Sequence, residues 1–139
     1  MRMPIVGCLF VAALGGAVAF AQVPIRKETV RFKAGESSAA IKGTLKGDET
    51  VDYILGARAG QPMVVTLESQ NRFAYFNVMP PASDTAIFIG STLGKKFEGE
   101  LPATGDYTVR VYLMRNAARR GETAAYTVTF GVSTPAPKR

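Results

Sequence analysis

Apolar and polar residues alternate with a period of two in run after run of this chain, and Gly, Pro or Asp interrupts the alternation roughly every ten residues. A chain patterned this way must turn one side of each run inward, which is what half-buried strands do, and no stretch competes for a helix. The clearest runs lie near the end. In Gly105–Leu113, the residues Tyr107, Val109, Val111 and Leu113 share one face, while Thr108, Arg110 and Tyr112 share the other. In Ala124–Val132, Tyr126, Val128, Phe130 and Val132 alternate with Thr127, Thr129 and Gly131. Paired as a hairpin, these strands would hold the basic loop Met114–Glu122 at one end of a sheet.

The preceding runs extend the pattern. Thr29–Ala34 sets Val30, Phe32 and Ala34 against Arg31 and Lys33 and reads as an edge strand whose outer charges discourage wrong pairing. Ile41–Lys46, Val51–Ala57 and the stretch carrying Met63, Val65 and Leu67 follow, separated by turn residues. Ala74–Val78 opposes Phe76 and Val78 to Tyr75 and Asn77, and Pro80-Pro81 ends it, since proline cannot donate to a ladder. Ala86-Ile87-Phe88-Ile89 is apolar without alternation, as expected of a segment covered on both faces. Phe97, Gly99 and Leu101 then alternate with Lys96, Glu98 and Glu100. The sum is an all-β domain of about nine strands, an antiparallel sandwich or a barrel.

The first residues have a different logic. Arg2, the apolar stretch Ile5–Phe20 and the small-x-small site Ala19-Phe20-Ala21 read as a secretory signal peptide, cleaved after Ala21 and taking Cys8 with it. The stretch is too short and too rich in glycine for a membrane anchor, and no span is expected in the mature chain. Residues 22–139 are then one domain with a frayed, Pro-rich tail from Ser133 to Arg139.

Once the leader is gone the chain has no Cys, and it has no His or Trp anywhere. An exported domain of this kind has no disulfide, no imidazole base, no thiolate and no ordinary zinc site. Ser37-Ser38 and Ser91-Thr92 are hydroxyls without a His to activate them. An enzyme is therefore not expected, and no cofactor is implied. The formal charge of +6 suits an anionic partner: an acidic protein, an envelope polymer or a membrane surface. Nucleic acid is not expected, because an exported chain rarely meets it.

Candidate contact residues concentrate in the basic loop. Arg115, Arg119 and Arg120, with Asn116 among them and Tyr112 beside them, meet no acid before Glu122. Forked guanidinium groups on a sheet-anchored loop suit the carboxylates of an acidic cleft, though such a loop could equally be a solvated one kept soluble by charge. Tyr75 and Asn77 are either outward binding groups or one inner face of the sandwich. Glu98 and Glu100, about 7 Å apart along a strand, could in principle do glycosidase-type acid–base work, but a charged outer face balanced by Lys96 explains them. Asp48, Glu49 and Asp52 could help hold Ca²⁺ but lack an ordered ligand loop. Asp106 reads as a turn residue capping its own backbone rather than as a ligand.

Three segments carry a family resemblance: Gly43-Thr44-Leu45-Lys46-Gly47-Asp48-Glu49 with Tyr53, Ala59-Gly60-Gln61-Pro62-Met63-Val64-Val65-Thr66-Leu67, and Leu101-Pro102-Ala103-Thr104-Gly105-Asp106-Tyr107-Thr108-Val109-Arg110-Val111. Together they resemble the bacterial pre-peptidase C-terminal (PPC) domain, which implies a jelly-roll β-sandwich. With Ala74–Val78, Ile87-Phe88-Ile89-Gly90-Ser91 and Tyr112–Arg120 added, the signal-bearing chain is similar to the periplasmic inhibitors of goose-type (g-type) lysozyme. That resemblance implies a periplasmic protein whose partner is a lysozyme, blocked at its acidic substrate cleft. The alternative is a non-catalytic envelope module that binds peptidoglycan or another glycan, for which Tyr53, Tyr75 and Tyr112 are the available aromatic platforms.

Overall fold

Nine strands and two short helices follow one another through residues 24–133, the part of the chain that the computed structural model describes. The leader, its cleavage site and the tail beyond Ser133 lie outside the described residues. The strands are β1 Arg26–Thr29, β2 Ser38–Lys46, β3 Val51–Ala57, β4 Pro62–Ser69, β5 Ala74–Met79, β6 Phe88–Ile89, β7 Lys96–Glu100, β8 Gly105–Leu113 and β9 Thr123–Val132. Helix α1, Gly90–Leu93, follows β6, and α2, Arg115–Arg119, joins β8 to β9. Sheet I has the order β1-β3-β8-β5-β6 and sheet II the order β2-β9-β4-β7. Within these sheets β1 runs parallel to β3 and the other pairs are antiparallel.

The alternation explains the two layers. Tyr53, Phe76, Val109 and Val111 of sheet I and Val65, Val128 and Phe130 of sheet II are all buried in one shared core. Aromatic rings tie the layers together: Tyr53 meets Phe130 at 5.5 Å and Phe88 meets Phe97 at 5.5 Å. Between the sheets the Tyr53 and Tyr126 hydroxyls share a 2.6 Å hydrogen bond, so neither oxygen is left without a partner in an apolar interior. Burial raises both phenols, Tyr53 well above the usual tyrosine range, and for Tyr53 the bond to Tyr126 adds to the effect. Tyr126 fits only because residue 43 is glycine, since a Cβ there would overlap the Tyr126 ring and hydroxyl.

Four sequence expectations need correction. β8 and β9 do not form a hairpin. They lie in different sheets, β8 between β3 and β5 and β9 between β2 and β4, and the basic segment arches from one layer to the other. A period of two shows which face of a strand is buried but not which strand lies beside it. That segment also contains a helical turn, short because only Ala117 and Ala118 have a core to enter. The first strand is Arg26–Thr29 rather than Thr29–Ala34; Val30 is buried just past its end, and Arg31–Lys33 lead into the turn before β2. The apolar run Ala86–Ile89 is not covered on both faces, because β6 is a two-residue edge strand in which Phe88 is buried while Ile87 and Ile89 stay exposed.

Candidate functional site

Three connections converge at one pole of the sandwich: the β2–β3 turn, the β4–β5 loop and the α2 arch. The Gly47 amide donates to the Glu122 carbonyl at 2.9 Å, and the Met114 amide donates to the Phe73 carbonyl at 2.9 Å. The α2 turn closes on itself as the Ala118 amide donates to the Met114 carbonyl at 2.9 Å and the Gly121 amide to Ala118 at 3.0 Å. With Ala117 and Ala118 buried, the remaining positions of the turn must face outward. Arg115, Asn116, Arg119 and Arg120 are accordingly exposed.

The three arginines are not equivalent. Arg120 Nε donates to Glu122 Oε2 at 2.6 Å, and its guanidinium lies 5.4 Å from the centre of the Phe73 ring. Arg72 approaches the same ring at 4.8 Å. Arg115 and Arg119 make no ion pair among the described residues, so their donors remain available to a partner. Asn116 accepts a hydrogen bond from the Ala117 amide at 2.9 Å through its carbonyl oxygen.

Beneath this cationic tip, Asn71 acts as a latch. Its side-chain nitrogen donates to Glu122 Oε1 at 3.1 Å and to the Thr123 carbonyl at 3.2 Å, and its oxygen accepts from the Phe73 amide at 3.0 Å. One amide thus fixes the β4–β5 loop, the carboxylate that holds Arg120 and the start of β9, around a cavity of about 370 Å³. Asn71→Ala is expected to cost about 1–3 kcal/mol of stability and to speed hydrogen exchange selectively at Ala118, Gly121 and Glu122. Unchanged exchange at those amides would show that the arch holds its shape without the latch.

Tyr112, Tyr75 and Asn77 come together on the outer face of sheet I. Tyr112 stands directly opposite Tyr75 on the neighbouring strand. The Tyr112 hydroxyl donates to Asn77 Oδ1 at 3.0 Å, and the Gly90 amide donates to the same oxygen at 3.2 Å. The Lys95 ammonium lies 5.2 Å from the centre of the Tyr75 ring. All three side chains are half-buried, so of the two placements open to Tyr75 and Asn77 the outward one is correct. In the next row of the same face Arg110 grips Asp52 with two hydrogen bonds of 2.8 and 2.9 Å, and the Asp52 side chain is only 5 % exposed. That bond to Asp52 raises the Arg110 pKa.

Asp52 is therefore committed to an ion pair rather than to Ca²⁺, and no cluster of three or more potential metal-ligating side chains is present among the described residues. Glu98 and Glu100 are exposed on β7, with Glu98 3.4 Å from Lys96. Sequence reasoning missed Asn71, Arg72, Phe73 and Lys95 as parts of these surfaces. Asn71 lies 51 residues from Glu122 in the sequence, and no local pattern joins them. The Asp52–Arg110 pair had a fainter signal, an acid and a base each on the outward side of an otherwise apolar strand.

Comparison with known proteins adds an independent line. Over 106 residues the chain is 31% identical to the inhibitor of g-type lysozyme of Escherichia coli strain K12, an alignment covering 74% of this chain and 78% of that protein. Its fold superposes on the crystal structure of Aeromonas hydrophila PliG, a periplasmic inhibitor of g-type lysozyme, with a TM-score of 0.72 at 36% identity, covering 78% of this chain and 97% of that one. The pre-peptidase C-terminal domain of a Bacillus anthracis collagenase superposes with a TM-score of 0.54 at 16% identity over 79% of this chain and 97% of that domain, a likeness of fold alone. No family model matches the chain.

Proposed function

The chain belongs to the family of g-type lysozyme inhibitors, and on that premise we propose that it is an exported inhibitor that stops a g-type lysozyme by placing the α2 arch in its substrate cleft. The observation that carries this reading is the division of labour at the pole: Arg120 is held by Glu122 against Phe73, while Arg115 and Arg119 are exposed and make no ion pair among the described residues. A muramidase cleft must carry acidic residues to cleave a glycosidic bond, and guanidinium forks bind carboxylates through two parallel hydrogen bonds. Asn116 adds a neutral donor between the two arginines. Tyr112, Tyr75 and Asn77 continue the contact surface along sheet I, where the Tyr112–Asn77 hydrogen bond and the Lys95 contact with the Tyr75 ring hold them before any partner arrives.

The protein is not an enzyme: its relatives are inhibitor proteins. The reading places it in the periplasm after cleavage behind Ala21, as its PliG relative is periplasmic. No helix among the described residues is long and apolar enough to cross a membrane. An open aromatic platform for a glycan is harder to build, because Tyr53 is buried in the core and the Tyr75 ring lies close to Lys95.

The test is an inhibition panel with purified residues 22–139. Clearing of a peptidoglycan suspension by a g-type lysozyme is expected to slow at stoichiometric inhibitor, with little effect on lysozymes of other types. Unimpeded g-type lysozyme together with tight binding of the protein to insoluble peptidoglycan would replace the inhibitor reading with an envelope module.

A further inference from the structure

The β6–α1 segment breaks the pattern that the rest of the chain obeys. Alternation would make residues 87 and 89 polar, since only Phe88 between them enters the core. Instead Ile87 is 42 %, Ile89 44 % and Leu93 64 % exposed, and the only other large hydrophobic residue so exposed among the described residues is Ile25. Clustered aliphatic exposure of this kind marks contact surfaces.

The segment is held firmly in this position. The Ile87 amide donates to the Val78 carbonyl at 2.8 Å, the Gly90 amide to Asn77 Oδ1 at 3.2 Å, and the Gly94 amide to the Gly90 carbonyl at 2.8 Å. Gly90 packs so closely on the backbone of Phe76 that a Cβ would overlap its carbonyl oxygen. The aliphatic side chains are thus presented by a shoulder docked against β5.

We propose that this shoulder is a second docking surface for the protein partner that receives the α2 arch, and that the partner presents an apolar rim beside its acidic cleft. The proposal rests on the inhibitor reading and extends it. Its basis is continuity along one surface: Tyr112 precedes Arg115 by three residues and faces Tyr75, while Asn77 faces Ile89 across the next strand pair. Tyrosines flanked by aliphatics and arginines make up the kind of patch that dominates protein interfaces, whereas charged tips mainly steer and orient. A second copy of this chain fits less well. Two-fold self-pairing would bring Lys95 and a chain whose formal charge of +6 falls only to +5 with the loss of Arg2 against their own kind, while an acidic enzyme complements both.

The neutral double variant Ile89→Thr/Leu93→Ser tests the surface without adding charge. Its melting temperature should match the parent, because both side chains are exposed. Dissociation from g-type lysozyme should quicken about tenfold, equally at low and high salt, since apolar contact is not screened. Arg119→Glu is measured alongside. An unchanged dissociation rate in the double variant, with Arg119→Glu still defective, would overturn the shoulder and leave the arch standing. If the parent itself fails to inhibit, the inhibitor reading falls and takes the shoulder with it. A parent that sediments as a dimer, and a double variant as a monomer, would make the shoulder a self-interface and overturn the proposal.

Discussion

Arg119→Glu is expected to weaken inhibition of g-type lysozyme by about a hundredfold or more while leaving the melting temperature where it was. Arg119 is exposed and makes no ion pair among the described residues, so the fold loses nothing when it changes. In the proposed complex the reversed charge would face the carboxylates that the enzyme cannot do without. Arg119→Ala should show a smaller loss that still exceeds the roughly 0–1 kcal/mol of an exposed ion pair, because on the proposed mode of binding the cleft excludes water from the contact. The distinguishing measurement is binding kinetics at two ionic strengths. A desolvated contact keeps its penalty in added salt and shows it in the off-rate, whereas simple steering acts on the on-rate and fades. Equal inhibition by parent and Arg119→Glu at both salts would mean that the arch only keeps the sandwich soluble. Arg120→Ala should behave differently from Arg119→Ala, lowering stability through the lost Glu122 and Phe73 contacts as well as weakening binding.

The largest loss of stability is expected from Tyr126→Ala. The change removes a 97 %-buried ring and leaves the Tyr53 hydroxyl without its partner, at a cost of about 3–5 kcal/mol on the scale of other aromatic truncations. Against the roughly 5–15 kcal/mol typical of a domain, this would leave the protein barely folded at 37 °C. Tyr126→Phe keeps the ring and should cost about 1–3 kcal/mol through the unpaired hydroxyl alone. Urea melts of the three proteins check the order, and similar midpoints would show that the hydroxyl pair is dispensable. The same pair sets an alkaline limit. Both phenols are raised in the folded state, so the native protein keeps protons that the unfolded chain releases above about pH 10. Their contribution is complete below that pH and is lost as pH rises beyond it. Phenolate absorbance should therefore appear in part only as the chain unfolds.

Much of the architecture could be read from the sequence because each strand carries its own evidence of which side is buried. The boundaries of Val51–Ala57 agree with β3, and Phe76 and Val78 are inward as their alternation requires. Partner choice left no such mark. The chain between Leu113 and Thr123 could as well be a hairpin turn as an arch, and only the pairing of β8 with β3 and β5 and of β9 with β2 and β4 decides it. At the pole the arginines were visible as a cluster, but their different roles were not. What separates Arg120 from Arg119 is a carboxylate two residues beyond it and an aromatic ring 47 positions earlier, and the second of these is a fact of folding alone. The run Ala86–Ile89 differs from its expected burial for a related reason: an apolar run has the same composition whether it is covered on both faces or on one.

The connection between the layers has a mechanical consequence. The tip of a hairpin is a cantilever, free to swing about two adjacent strands of one sheet. The α2 segment is instead a beam clamped at both ends, one foot on the central β8 of sheet I and the other on the central β9 of sheet II. Its pitch is set by the spacing and angle of the sheets, and so by the ring contacts and the tyrosine pair between them. Substitutions deep in the core that leave the protein folded but let one layer slide should thus retune the aim of Arg115 and Arg119 from a distance, so that, on the proposed mode of binding, selection for a new lysozyme could act on residues that never touch it.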